Sequence, residues 1–339
     1  MIINQVNILT LLKKVYDPNL KKDLVSLNMI KDIKINDQEI IITLKISKSS
    51  NPLKNYFINT CKDTLREITS KEVKINIINN EEDKSKKNNC KIKNIILIAS
   101  GKGGVGKSTV AANIAYMLSL KKYKVGILDA DIYGPSIPVI FNILKDHPTQ
   151  KKINDKNYII PILKYNIKIL SIGLFTRDNQ SIPWRGPMVS SAVKQLFNDA
   201  YWGDLDYLIV DMPPGTGDIH ITISQNFNAT GAIIVTTPQK LSISDTIRSI
   251  DMFKMEKIDI PILGLIENMS YFIPNKHPKE KYYIFGKDGA NFISKELNIN
   301  ILGNIPIIDN DEYSSIINPR KILKNDVLYK LYELIVDKI

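Results

Sequence analysis

The chain has 339 residues, 44% of them hydrophobic and 24% charged. That is longer than one ordinary domain of ~100–200 residues and apolar enough to build a core, which excludes wholesale disorder. The net charge of +11 invites a polyanionic partner, but only five of the 46 basic residues are arginine. Arginine is the side chain that specific nucleic-acid readers favour for its planar fork, so specific nucleic-acid binding is set aside.

Cys61 and Cys90 are the only cysteines, which excludes a disulfide-framed secreted fold. No apolar run reaches the ~20 residues needed to cross a bilayer. The opening segment MIINQVNILTLLKK has neither a basic lead nor a small-residue cleavage site. A cytoplasmic location without membrane attachment is the expectation.

Residues 1–80 read as a small α+β domain. Ile8–Val15 has helical spacing, and Asp17-Pro18-Asn19 marks a turn. Ile30–Ile35 and Glu39–Ile46 alternate apolar and polar residues around Asn36-Asp37, which predicts a hairpin. Pro52–Ile68 is spaced as a helix through Leu53, Phe57, Leu65 and Ile68, and Val73–Ile78 suits a strand. Residues 81–93 are polar and charged and read as a linker. Over residues 94–339 the pattern changes. Apolar runs at Ile95–Ala99, Val125–Leu128, Tyr207–Val210, Ala232–Thr236 and Ile262–Ile266 alternate with helical stretches. This is the signature of an α/β fold with a doubly wound, mostly parallel sheet and binding loops at the strand C-termini. Lys321–Ile339 carries an apolar stripe (Leu323, Val327, Leu328, Leu331, Ile335) expected to pack on that sheet, although its lysines also suit a membrane surface.

Directly after the first of these strands, Gly101-Lys102-Gly103-Gly104-Val105-Gly106-Lys107-Ser108-Thr109 matches G-x-x-x-x-G-K-[ST]. Glycines let backbone amides turn inward around a phosphate chain, and the helix that follows adds a partial positive charge beneath it. ATP and Mg²⁺ are therefore the expected ligands. Lys107 is assigned to the β- and γ-phosphates, Ser108 to Mg²⁺ and Thr109 to the α-phosphate. Asp129 and Asp131 end a strand two residues apart, so both side chains share a face. Asp131 is expected to aim the attacking water, and Asp129 to support Mg²⁺ or its water shell. The apolar run Tyr207–Val210 ends in Asp211, which is expected to hold a water on Mg²⁺. The Met212–Asp218 loop that follows has two prolines to stiffen it and two glycines to let it approach a γ-phosphate, as a nucleotide-sensing switch requires.

Lys102, early in the loop, gives the form KGGVGKS, which resembles the deviant Walker A of dimeric MinD/ParA-like ATPases. In those proteins this lysine reaches the partner's nucleotide. Further segments carry a closer resemblance: DADIYGPS at 129–136, WRGPM at 184–188, DMPPGTGD at 211–218, TTPQ at 236–239 and ENMS at 267–270. Together they resemble the Mrp/ApbC-type iron–sulfur cluster carrier ATPases from about residue 94 onward. The resemblance implies a homodimer, Lys102, Lys107 and Asp131 as the catalytic set, and Asn268 on the adenine. It also implies iron–sulfur scaffold or apoprotein clients and a [4Fe–4S] cluster at the dimer interface. Residues 1–80 are similar to the small domain of iron–sulfur assembly proteins through Asp17-Pro18, Leu27–Ile30 and Asn51-Pro52-Leu53, with Asn51 where some members have cysteine. A second departure is sharper. The segment Tyr271–Lys279 lacks the C-x-x-C that many members carry there and offers only His277. The iron–sulfur ligands stay unassigned. Cys61 is expected to be buried in a helix, and Cys90 sits at the end of the linker. Trp184-Arg185 suits a dimer contact or a client contact equally. The alternatives to a carrier are a nucleotide-gated adaptor without its own cluster and a MinD-like positioning ATPase.

Overall fold

A strand made of unbroken apolar residues is stable only when both of its faces are covered. The chain solves this in its larger part. The computed structural model describes residues 4–17, 22–27, 29–36, 38–46, 54–66, 68–69, 71–79, 91–153, 156–175, 186–274, 276–277, 279–308 and 326–339. The chain divides into two units, Met1–Asn88 and Asn89–Ile339. The residues Pro18-Asn19, Asn51–Leu53, 81–90 with Cys90, Trp184-Arg185 and 321–325 lie outside the described set.

In the first unit, α1 (Gln5–Leu12) is capped by Asn4, whose side chain accepts from the Asn7 amide. This cap starts the helix three residues ahead of Ile8, and the chain turns at Lys13-Lys14, so Val15 is buried outside it. Two short strands, β1 (Tyr16–Asp17) and β2 (Lys22–Asp23), pair antiparallel. β3 (Ile30–Ile35) and β4 (Glu39–Ile46) form the expected hairpin. α2 (Lys54–Arg66) then crosses over to β5 (Glu72–Asn79), which pairs parallel to β4 from Glu39↔Glu72 onward. Ile8, Leu12, Leu24, Ile40, Ile42, Leu44, Phe57, Cys61 and Leu65 are fully buried at the centre.

The second unit contains β6 (Ile92–Ala99), α3 (Lys107–Leu120), β7 (Val125–Asp129) and α4 (Ile137–Ile140). Next come the hairpin β8 (Thr149–Ile153) and β9 (Lys156–Ile160), then β10 (Ile162–Lys164) and β11 (Ile167–Ser171). α5 (Gly186–Asp199), β12 (Leu205–Asp211), α6 (Asp218–Asn226), β13 (Gly231–Thr236) and α7 (Lys240–Lys254) follow. β14 (Ile262–Ile273), α8 (Gly289–Leu297), β15 (Ile301–Ile308) and α9 (Asp326–Val336) complete it. Eight strands form one sheet in the order β10-β11-β7-β12-β6-β13-β14-β15. Only the edge pair β10–β11 is antiparallel.

Alternation along the strands divides the core. Ile96 and Ile98 of β6 join Ile127, Ile209 and Ile233 on the face covered by α3, α4 and α9. Ile95, Leu97 and Ala99 join Leu128, Leu208, Val210 and Ile234 on the face covered by α5, α6, α7 and α8. Successive side chains point to opposite faces, so one apolar run serves both cores. α3 is buried on nearly every side, which explains the apolar run that follows its polar first turn, interrupted only by Asn113 and Ser119. α9 packs on the sheet as expected and inserts Tyr332, Ile335 and Val336 into the α3 face; of the expected stripe Ile335 is buried, Leu328 and Leu331 are half-buried and Val327 is exposed. No helix among the described residues is long and apolar enough to cross a membrane.

Each of the five expected strands of this unit lies within an observed one. The polar hairpin β8–β9, the edge strands β10 and β15, and β11 inside the sheet were not anticipated. β14 also runs past Ile266 to Ile273, because β15 continues to pair with it at Phe272↔Ile307. Glu267–Ser270, expected at a strand end, therefore lies inside β14. It sits at a register shift where Met269 adopts φ 56°.

Candidate nucleotide-binding site

β6 is central, with β12 and β7 on one side and β13 on the other, so the loop after it opens into the crevice where strand order reverses. The 100–106 loop passes through left-handed φ at Gly104 (80°) and Gly106 (84°) and delivers its chain to the N-terminus of α3 at Lys107. Close packing also demands glycine at Gly101 and, a second time, at Gly106. A Cβ on Gly101 would lie 2.2 Å from the Asp245 carbonyl carbon of α7, and one on Gly106 would lie 2.3 Å from Asn268 Nδ2. In front of the loop is a cleft of about 600 Å³. Its walls are the 102–109 backbone turn with Lys107, Ser108 and Thr109, then Asp131, the 134–136 turn and Pro214. This size suits a small-molecule ligand.

The charged groups at the floor of the cleft come from two strand ends and one helix start. Lys107 Nζ stands 2.5 Å from Asp211 Oδ1, 3.6 Å from Asp131 Oδ2 and 3.3 Å from Ser108 Oγ, and the residue is only 6% exposed. The ammonium thus bridges the two carboxylates at the base of the cleft. Asp211 is fully buried, and its second oxygen, Oδ2, has no hydrogen-bond partner among the described residues. Such an orphan is costly unless a ligand's water or ion meets it. Asp129 is also fully buried, and both of its oxygens are engaged. Oδ1 accepts from the Asp131 amide at 3.1 Å, while Oδ2 accepts from Ser171 Oγ at 2.8 Å and the Ile137 amide at 3.3 Å. Burial, reinforced by the Asp211 carboxylate and opposed by Lys107, pushes the Asp129 carboxyl up to about 8. Burial raises Asp131 as well, against the pull of Lys107. Asp129 and Asp131 do share the cleft side of the strand end, but they differ in role: Asp131 lines the cleft and Asp129 anchors the chain behind it.

The loop after Asp211 is tied on two sides. Met212 and Gly215 donate to the carbonyls of Ile98 and Ser100, which places Pro214 in the cleft wall. His220, in the first turn of α6, lies against the other side of the same loop. Lys102 lines the cleft half-buried and has no ion-pair partner among the described residues. Asn268 is brought to the site, though not to the cleft. Its Nδ2 donates 2.8 Å to the Val105 carbonyl, so the amide braces the glycine loop from behind. The sequence expectation placed this amide on adenine, whereas the structure engages its nitrogen with the loop. Glu267 beside it accepts from Ser270 Oγ and from the Ala290 amide that begins α8.

His277 is exposed on the surface beside Glu280, and Cys61 is enclosed in the first unit, where burial pushes its thiol up to about 12. Among the described residues no group of three or more His, Cys, Asp and Glu side chains is placed to hold a metal ion. Sequence reasoning missed His220 and the helix behind Gly101. The first had a signal, a histidine one helical turn after a Pro-Pro-Gly loop. The second had none, because residues 101 and 245 meet only in three dimensions.

A doubly wound parallel sheet with this glycine loop at its switch point defines a P-loop NTPase. The family described as NUBPL iron-transfer P-loop NTPase matches residues 91–337, and the iron–sulfur cluster assembly protein family matches residues 5–77. The chain belongs to the NUBPL iron-transfer P-loop NTPase family, in agreement with the resemblance drawn from its motifs. It is 40% identical over 305 residues to an iron–sulfur cluster carrier protein of Synechocystis, covering 88% of this chain and 86% of that one. A carrier protein of Haemophilus influenzae is 38% identical over 309 residues, 90% of this chain and 81% of that one. Among solved structures, a nucleotide-binding protein of Archaeoglobus fulgidus in complex with ADP superposes with TM-score 0.55 at 32% identity, covering 73% of this chain and 88% of that one. The cell division ATPase MinD of Pyrococcus furiosus, with TM-score 0.50 and 19% identity over 73% of this chain and 98% of that one, shares the fold.

Proposed function

We propose that this chain binds and hydrolyses ATP, and that the resulting opening and closing of a homodimer loads or transfers iron–sulfur clusters to apoproteins. The observation that carries the reading is Lys107, held at the base of the cleft between Asp211 and Asp131 and directly under the glycine loop. When a triphosphate enters, Lys107 exchanges its carboxylate partners for the β- and γ-phosphates, and the amides of 103–107 close around them. Thr109 meets the α-phosphate, and Lys102 reaches the nucleotide of a second copy of the chain. Asp131, freed of the ammonium, aims the attacking water. The residues fit a magnesium ion: Ser108 as ligand, the orphaned Oδ2 of Asp211 on its water, and Asp129 acting through its hold on Asp131. Bound there, the ion would offset charge on the β- and γ-phosphates. Positioning and electrostatics carry catalysis of this kind. Asn268 acts by bracing Val105, and contact with adenine would require its Nδ2 to leave that carbonyl.

Residues 1–80 serve client or scaffold contact, 81–93 connect, and 94–339 form the ATPase. The relatives are named iron–sulfur cluster carriers, and this is the support for the cargo. The residues that would hold a cluster are unassigned, since Tyr271–Lys279 has no cysteine and Cys61 is enclosed with its thiol protonated. That observation favours a second reading, a nucleotide-gated adaptor that assists a partner's cluster. Two measurements test the proposal. Mg·ATP binding and turnover by the purified chain test the ATPase, and failure to bind removes it. Anaerobic reconstitution with iron and sulfide tests the cargo. A charge-transfer band with stoichiometric iron supports a carrier, while a colourless protein supports the adaptor.

A further inference from the structure

Pro213 and Pro214 are consecutive, so the loop after Asp211 has no amide hydrogen at either position. The Pro213 carbonyl still points into the protein, and a buried carbonyl needs a donor. That donor is a side chain from the next helix. His220, 7% exposed, sets Nε2 at 2.9 Å from the Pro213 oxygen. Its other ring nitrogen, Nδ1, lies 3.3 Å from the Gly217 oxygen, which already accepts from the amides of His220 (2.9 Å) and Ile221 (3.4 Å). A neutral imidazole has a single hydrogen to donate. Burial favours the neutral form, and the carbonyl without an amide donor is that of Pro213, so Nε2 carries the hydrogen.

The ring also shapes the turn by contact. Gly215, at φ 108°, lies flat against it: a Cβ there would be 3.4 Å from His220 Cε1. On the opposite side, the Gly215 amide holds the Ser100 carbonyl at 2.9 Å. The turn is therefore stretched between the glycine loop and α6. Pro214 at its crest faces the cleft, 3.8 Å from where a Cβ on Gly103 would stand.

We propose that His220 is a positioning residue: its imidazole clasps the 213–217 turn to α6, so that Pro214 is held at the wall beside Lys107 and Asp131 and the site distinguishes a nucleoside triphosphate from the diphosphate. The inference rests on the nucleotide-site reading above. It adds to that reading a residue outside the phosphate loop and a route by which the terminal phosphate acts on α6.

The test compares His220→Gln with His220→Met in the full chain. Glutamine offers an N–H at similar reach, whereas methionine fills the space without a donor. Dissociation constants for a non-hydrolysable Mg·ATP analogue and for Mg·ADP are measured together with kcat and KM. An unmet buried acceptor corresponds to a change of about ten-fold. His220→Met should lower the triphosphate-to-diphosphate affinity ratio and kcat by about that factor, with ADP affinity unchanged, and His220→Gln should restore most of both. If His220→Met does not fold, His220→Leu, which also lacks a donor, carries the same expectation. A wild-type ratio and kcat in the donor-less variant overturn the inference. So does an equal loss of ATP and ADP binding in both His220 variants, which would mark a merely structural histidine. Should the wild-type chain bind neither nucleotide, the nucleotide-site reading itself fails, a result visible before any variant is made.

Discussion

Substituting Gly101 by alanine separates two reasons for a glycine in a phosphate loop. The backbone at Gly101 is not in the left-handed region, unlike Gly104 and Gly106, so its conformation alone admits any residue. What excludes a side chain is helix α7. An added Cβ would lie 2.2 Å from both the carbon and the oxygen of the Asp245 carbonyl and 2.7 Å from the Thr246 amide nitrogen. Ordinary carbon contacts fall at about 3.5–4.0 Å, so the end of β6 and the body of α7 must part by more than about 1 Å. These are main-chain atoms within a helix and cannot swing aside as a side chain would. Overpacking costs about 1–3 kcal/mol where side chains can adjust, and rigid backbone puts Gly101→Ala at about 3 kcal/mol or more. For a unit of this size that is a Tm lower by about 6–12 °C. Gly104→Ala is the control. No atom lies within 4 Å of its Cβ, and only its φ of 80° is strained, at about 1–2 kcal/mol. Thermal and urea unfolding of the nucleotide-free chain compare the two variants before any activity is assayed. If Gly101→Ala is no less stable than Gly104→Ala, the packing account is refuted and phosphate contact is the only remaining reason for the residue.

Lys107→Ala should abolish ATP turnover and also weaken the nucleotide-free protein, because Asp211 and Asp131 lose their shared cation. Breaking such a buried pair costs about 3–5 kcal/mol, a loss that denaturant titration of the variant against the wild-type chain should read. Asp129 predicts a second pH effect. Its folded carboxyl is raised from 3.8 to about 8, so its contribution is fully present below about pH 4 and is lost as pH rises toward 8. One proton bound only in the folded state gives a fall of about 1.4 kcal/mol per pH unit. Asp129→Asn should flatten that slope whatever it does to absolute stability, and an unchanged slope would assign the titration elsewhere. Asn268→Ala removes the brace on Val105 and should weaken nucleotide binding about five- to ten-fold. Calorimetry with ATP and GTP decides how. An equal loss for both bases supports a role on the loop, and a loss confined to ATP supports contact with adenine.

The amino-acid order determined five of the eight sheet strands, the phosphate loop and the two acid-tipped strand ends, because each is local. An apolar run as long as Ile95–Ala99 has nowhere stable to be except between two covered faces. The spacing of Gly101, Gly106 and Lys107 encodes a turn and a helix start without help from the rest of the chain. Short polar or edge strands such as β8 and β10 have no such pattern, since their pairing is fixed by neighbours already in place. Tertiary structure alone decided which acids face the cleft. Asp129 and Asp131 look equivalent in sequence, but Ser171 and the start of α4 tie Asp129 behind the strand end, whereas Asp131 lines the cleft beside Lys107. The same holds for Asn268, whose amide finds a carbonyl 163 positions away, and for His220, whose ring meets the Pro213 carbonyl. These partners are remote or conformational, and their hydrogen bonds exist only once burial has removed water as the competing partner.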